Sequence, residues 1–231
     1  MSRSVLPHVT VNVAITADGK LAPDTRHFVP FGSKRDQQLL MELRSRADAV
    51  MSGARTVDLG KVDLGPGGKK YQRLRLENGL SEFNLRVIAS GSASLNPGAH
   101  IFNKRFSPIL LLTTEAAPPA HLKRLTTLVD DVFVSRGASI DFRAALVWLR
   151  QKWGVKRLLC EGGGEINAPV FREKLADEVY VTICPVLFGG RRAPTMADGA
   201  GLSALSDATK LKLVRRELIN NELYCVYRVL K

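Results

Sequence analysis

Little in this chain suits a covalent or metal framework. It has three cysteines, Cys160, Cys184 and Cys225, far apart in apolar surroundings, with no CxxC spacing and no histidine cluster beside them. That pattern argues against a disulfide scaffold or a zinc site and for reduced, buried thiols in a cytoplasmic protein. No stretch approaches the ~18 apolar residues of a membrane-spanning helix, so no membrane association is expected. The amino terminus, Met1 to Pro7, gives way to strand-like sequence too soon for a signal peptide. Aromatic residues are only 6% of the chain, and no basic run is interleaved with them. With no RRM, KH, helix-turn-helix or zinc-finger pattern, nucleic acid is not expected as a partner.

Positive charge is what the chain has in excess. A net charge of +12 with pairs scattered along the sequence (Lys34-Arg35, Lys69-Lys70, Lys104-Arg105, Arg191-Arg192, Arg215-Arg216) suits small phosphorylated ligands. At 231 residues and 45% hydrophobic, the chain can bury one large core, and residues 1–231 are read as a single domain.

The most informative stretch is Arg157 to Phe171. An apolar run stops at Glu161, Gly162-Gly163-Gly164 follow, and an amphipathic segment begins at once. This reads as a buried strand, a bare turn and a helix start. Three glycines remove every Cβ and permit positive φ. The first amides of the helix have no intrahelical partners, and the helix dipole favours an anion there. The turn is either a phosphate cradle or a ligand-free connection; Glu161, at a strand's carboxyl end, favours the cradle. It is not a Rossmann fingerprint. Asn167 stands where the third glycine belongs, and the following acidic pair, Asp177-Glu178, opens a strand instead of closing one.

Around that turn the chain alternates strands and helices. Strands are expected at His8–Ile15, Asp48–Ser52, Leu85–Ala89, Ile109–Leu112, Asp131–Val134, Arg157–Cys160 and Glu178–Pro185. Helices are expected at Lys34–Arg46 behind a Ser33 cap, at Pro118–Leu128, and from a Ser139 cap to Trp153. Val57 to Asn84 is glycine-rich and basic, and is read as a long functional loop. Asn220-Asn221 between two alternating runs signals a terminal hairpin. The sum is an α/β fold, a mostly parallel sheet with an antiparallel C-terminal hairpin.

Four short motifs in order carry a resemblance through nearly the whole chain. They are Thr16-Ala17-Asp18-Gly19-Lys20; Arg44-x-x-Ala47-Asp48-Ala49-Val50-x-x-Gly53-x-x-Thr56; Leu159-Cys160-Glu161-Gly162-Gly163-Gly164-x-x-Asn167; and Asp177-Glu178 leading to Pro185-x-x-x-Gly189-Gly190. The set resembles the C-terminal reductase domain of the riboflavin-biosynthesis deaminase-reductase family. That resemblance implies a three-layer α/β/α, dihydrofolate-reductase-like fold and an NADPH-dependent oxidoreductase. The implied reaction converts the ribosyl group of an amino- or diamino-ribosylamino-pyrimidine 5′-phosphate to ribityl.

The resemblance also implies a set of site residues. NADPH would be held by Gly162, Gly163, Gly164, Glu165, Ile166 and Asn167, with support from Ala14, Thr56 and Ser90. Glu161 would face substrate and act in catalysis, and Arg26 and Arg44 would bind substrate. Arg44 otherwise reads as a solvated helix arginine, Thr56 as a turn residue, and Asp18 as an Asx-turn former. Where the family carries an aspartate after the second strand this chain has Gly60, so Asp58, or Asp63, is the candidate acid. Alternatives are reduction of another pterin-like or pyrimidine substrate, or a nucleotide-binding relative without catalysis. The family's habit implies a homodimer.

Overall fold

The computed structural model describes residues 6–27 and 30–231; part of the amino-terminal stretch read above, residues 1–5, lies outside them. In chain order, β1 (His8–Thr16) alternates buried and half-buried residues. α1 (Lys34–Arg44) begins where the Ser33 Oγ accepts the amides of Arg35 at 3.1 Å and Asp36 at 3.4 Å. The Ser33 amide itself donates to the Glu222 carboxylate at 2.8 Å. β2 (Ala49–Gly53) leads directly into α2 (Ala54–Leu59).

The expected long loop is a correction, because Lys69–Glu77 forms α3. Its buried face is carried by a charge, Arg75, 1% exposed, so no apolar stripe marks it. The Arg75 guanidinium donates to the carbonyls of Ser81 at 2.9 Å, Arg44 at 2.7 Å and Ala47 at 2.6 Å.

β3 (Leu85–Ala89) has the expected bounds, and β4 (Ile109–Thr114) runs two residues further than Leu112. On β3, buried Arg86 donates to the Ile101, Lys104 and Ser107 carbonyls and lies 4.2 Å from the Phe106 ring centre. Burial lowers both guanidiniums to about 10, so both stay charged at neutral pH. α4 (Pro119–Leu125), β5 (Asp131–Ser135) and α5 (Phe142–Trp153) follow. The α5 cap is Asp141, not Ser139: its carboxylate accepts the Ala144 amide at 2.8 Å. Gly154, at φ 67°, ends the helix in the left-handed region where glycine carries no Cβ penalty.

β6 (Arg157–Cys160) and α6 (Gly164–Arg172) flank the glycine turn, and β7 (Glu178–Cys184) opens with the acid of Glu178 as expected. β8 (Lys210–Ile219) and β9 (Glu222–Leu230) form the terminal hairpin. Asn220 and Asn221 both take positive φ, 50° and 67°, the geometry of a type I′ turn, as the dipeptide signals. Among the described residues the strands are ordered β5-β4-β3-β2-β6-β1-β7-β9-β8.

Packing divides the chain into two compact units. One contains 41–159, with β2–β3, β3–β4 and β4–β5 all parallel. Its core centres on Ile109-Leu110-Leu111-Leu112, each fully buried, as a strand covered on both faces requires. The other contains 9–40 and 160–231, with β1–β7 parallel and β7–β9 and β9–β8 antiparallel. β8 is exposed along nearly its whole length and bulges between Leu213 and Arg215, a common way to blunt a sheet edge. No helix among the described residues is long and apolar enough to cross a membrane.

Candidate active site

The glycine turn differs from its reading in one respect. None of Gly162, Gly163 and Gly164 has positive φ; Gly163 sits at φ −77°, ψ −178°, where any residue is at ease. Their lack of side chains has two causes. A Cβ on Gly162 would lie 2.8 Å from the Ile166 Cβ, and one on Gly164 would lie 2.5 Å from the Thr195 carbonyl oxygen and the Asp198 Cγ. Both are glycine because the protein itself packs there. Gly163 alone borders open space, with nothing within 4 Å of an added Cβ. Gly163 is also the α6 N-cap and offers no side chain to the first-turn amides.

Asn167 braces the turn. Fully buried, it donates from Nδ2 to the Gly162 carbonyl at 3.0 Å and accepts from the Cys160 thiol at 3.6 Å. Ile166 is buried beside it, and Glu165 points outward and pairs with Arg26 at 3.1 Å. Two expected site residues are thus brought together. The loop that crowds Gly164 is itself fixed, the Asp198 carboxylate accepting the Thr195 amide at 2.9 Å and hydroxyl at 2.8 Å. Thr195 and Asp198 carried no sequence signal beyond the turn dipeptide Asp198-Gly199.

In the same unit, Asp18 is structural: it accepts the neighbouring Thr16 hydroxyl at 2.6 Å and, from a distant loop, the Gly189 amide at 2.8 Å and the Phe188 amide at 3.2 Å. That hydroxyl is the largest cause holding its carboxyl below the usual value. Gly189 and Gly190, at φ 65° and 83°, are glycines because the loop turns through the left-handed region there. Ala14 is half-buried on β1, paired with Thr182 of β7.

A polar cluster in the same unit has no signature in the sequence. Glu222, 4% exposed, accepts the Ser33 hydroxyl at 2.6 Å, the Ser33 amide, the Tyr224 hydroxyl and the Cys184 thiol. Burial alone would raise the Glu222 carboxyl; those donors outweigh it and hold it below the ordinary value. Asp36 behaves oppositely, since burial pushes its carboxyl up and the nearby Glu222 charge adds to the push. Burial also drives the Cys184 thiol and the Tyr224 hydroxyl to about 12.

In the other unit, Thr56 lies in the first turn of α2, behind the Gly53 cap. Two residues on, Asp58 accepts the Asn96 amide at 3.0 Å, and burial raises its carboxyl despite that bond. Asp63 instead closes a turn, taking the Gly65 amide at 2.8 Å. Gly60 has no room for a side chain, because a Cβ would fall 2.7 Å from Val62 Cγ2 and 3.0 Å from the Thr56 carbonyl. Ser90 is buried at the end of β3, its amide bonded to Leu112. Arg44 is not a solvated helix arginine: it is 6% exposed and donates to the Gly65 carbonyl at 2.7 Å.

Residues 7–225 match the RibD C-terminal domain. The 2,5-diamino-6-ribosylamino-4(3H)-pyrimidinone 5′-phosphate reductase of Methanothermobacter thermautotrophicus is 31% identical over 230 residues, covering 96% of this chain and 98% of that protein. The reductase of the same name from Archaeoglobus fulgidus is 30% identical, covering 84% and 87%. Among solved structures, a pyrimidine reductase-like protein from Corynebacterium diphtheriae superposes with a TM-score of 0.80 at 21% identity, over 97% of this chain and 92% of that one. The deaminase and 5-amino-6-(5-phosphoribosylamino)uracil reductase of Thermotoga maritima gives 0.72 at 22% identity, over 97% of this chain and 57% of that one. These two likenesses establish the fold. With a single family spanning nearly its whole length, the chain belongs to the RibD C-terminal domain family, the reductases of riboflavin biosynthesis, which work with a nicotinamide cofactor.

Proposed function

We propose that this chain reduces a ribosylamino-pyrimidine 5′-phosphate to its ribityl form with NADPH. The observation that carries the reading is the end-to-end match to reductases named for that substrate, 98% of the first relative's length being covered. The residues present fit a dinucleotide. Gly163 borders open space and the uncapped α6 N-terminus suits a phosphate, with the Arg26–Glu165 pair beside it. Gly162, Gly164, Glu165, Ile166 and Asn167 shape that cradle, and Ala14, Thr56 and Ser90 are assigned to the remainder of the cofactor.

NADPH supplies a hydride. The protein must then orient the substrate and deliver one proton to the nitrogen as C1′ of the opened sugar is reduced. Glu161, half-buried at the end of β6, is assigned to the substrate. Arg26 and Arg44 are assigned to binding it, Arg44 through the loop carbonyl it anchors. Asp58 is the assigned acid, since burial favours its protonated form and Gly60 leaves no room for an aspartate at its own position. We place the reaction in the cytoplasm and the protein in a homodimer formed along the exposed β8, where Leu211, Leu213, Val214 and Leu218 face solvent. Light scattering on the purified protein tests the dimer.

The activity test is consumption of NADPH absorbance on adding the diamino-ribosylamino-pyrimidinone phosphate, abolished in Glu161→Gln. Full activity in that variant would remove Glu161 from the mechanism. Gly60 favours a second reading, nucleotide binding without turnover or with another pterin-like substrate; saturable NADPH binding without consumption on this substrate would select it.

A further inference from the structure

Three segments far apart in the sequence close into a ring at the start of α6, all within the unit of 9–40 and 160–231. The segment after β1 is laced to the segment after β7. The Ala17 amide donates to the Val186 carbonyl at 2.9 Å and the Leu21 amide to the Pro194 carbonyl at 2.8 Å, and Lys20 forms an antiparallel bridge with Thr195. The segment after β7 then grips the helix, its Asp198 amide donating to the Gly164 carbonyl at 3.1 Å. Arg26, from the segment after β1, completes the ring on Glu165.

Gly164 is where the ring bears on α6. A peptide unit is planar, so the Gly164 carbonyl and the Glu165 amide turn together. That amide belongs to the first turn, outside the helix's own ladder of bonds, and points toward the helix N-terminus. A hydrogen bond on one edge of the plane thus sets the direction of the donor on the other. The approach is close, because the Thr195 carbonyl oxygen and the Asp198 Cγ occupy the place a Gly164 side chain would take. The gripping loop in turn depends on one atom. Asp198 Oδ1 accepts both the Thr195 amide and the Thr195 hydroxyl and draws 195–198 into a tight turn.

Resting on the reading that NADPH binds at α6, we propose that Asp198 is a positioning residue for the dinucleotide: it closes the turn 195–198 on Gly164 and so holds the first-turn amides of α6 in the direction a phosphate requires. Asp198 acts through Gly164, not on the ligand. Donors fixed before the ligand arrives bind it more tightly, because their ordering is not charged to the binding step.

Fluorescence titration of NADPH onto the full chain, beside thermal melts, tests the assignment. Asp198→Ala opens the turn and should weaken NADPH binding by at least about fivefold. Asp198→Asn keeps an oxygen at Oδ1 for both Thr195 donors and should bind NADPH within about twofold of the wild type. Thr195→Val loses the hydroxyl bond, keeps the amide and should fall between them; it carries the comparison should Asp198→Ala fail to fold. Asp141→Ala, which uncaps α5 in the other unit, is the control for lost stability without lost affinity. Wild-type affinity in folded Asp198→Ala or Thr195→Val, or an Asp198→Asn as weak as Asp198→Ala, would overturn the assignment while leaving the reductase reading intact. So would tighter binding by Asp198→Ala, the result expected of a carboxylate that only repels phosphate. No saturable NADPH binding by the wild type would overturn both.

Discussion

Replacing Gly163 and Gly164 one at a time by alanine separates the turn's packing from its binding. At Gly164 an added methyl would meet the Thr195 carbonyl and the Asp198 carboxylate at 2.5 Å. Asp198 is pinned by two bonds from Thr195, so the loop has to move as a piece. Overpacking of this kind costs about 1–3 kcal/mol. With about 2.1 cal/mol/K of unfolding entropy per residue, a chain of this length has about 0.5 kcal/mol/K, which makes the loss about 2–6 °C in Tm. At Gly163 the methyl meets nothing and the backbone is already extended. Restricting the unfolded chain contributes about 0.4–1 kcal/mol, and the poorer N-cap removes a similar amount, so Tm should stay within about 2 °C. The methyl would nonetheless occupy the space assigned to the dinucleotide, and NADPH should bind at least about tenfold more weakly, a change of about 1.4 kcal/mol. Thermal melts and fluorescence titration with NADPH measure the two effects. Wild-type NADPH affinity in a well-folded Gly163→Ala would refute the placement of the cofactor at α6.

Asp141→Ala removes the α5 cap and should cost about 1 kcal/mol, read as a drop of about 2 °C in Tm, with NADPH affinity unchanged. Arg26→Ala breaks a largely exposed pair with Glu165 and should leave stability within about 0.5 kcal/mol while raising KM. Asp58→Asn should remove a pH-dependent penalty. A carboxyl raised above 3.8 by folding costs nothing while protonated and weighs against the folded state as pH rises through its folded value. The variant's urea midpoint should therefore equal the wild type's in acid and match or exceed it at neutral pH, with reduction slowed. Native protein should react with a thiol reagent at mildly alkaline pH only on unfolding, because all three cysteines are buried and those at 160 and 184 are raised to about 12.

The strands were legible because their signal is local. Runs such as Leu85–Ala89 and the Asn220-Asn221 turn announce themselves within a few residues. α3 was hidden because an arginine does the burying, and the α5 cap was misplaced because Ser139 and Asp141 are both competent and only the chain path from Ser135 selects the second. In the site, Glu161 and the glycines stood out, but the reason for each glycine did not; Gly164 answers to a loop over thirty residues later. The cluster around Asp36 had no local signature at all. Glu222 is separated from Ser33 by 189 residues and meets it only through the sheet. Sequence patterns report which elements form, and seldom which polar atoms they leave without a partner.

Arg75 and Arg86 carry a consequence for behaviour in salt. Each is held mainly by backbone carbonyls, and neither depends on a carboxylate partner at close range. Dissolved ions compete with an exposed pair such as Lys152–Asp131, whose lysine is 57% exposed, but reach a buried cation among carbonyl dipoles poorly. A protein with this much surplus positive charge would be expected to respond strongly to ionic strength. In the unit built around β2 to β5 its two most deeply buried charges are insulated from it, so brine should tighten that fold by screening the surface while leaving its interior fastenings untouched.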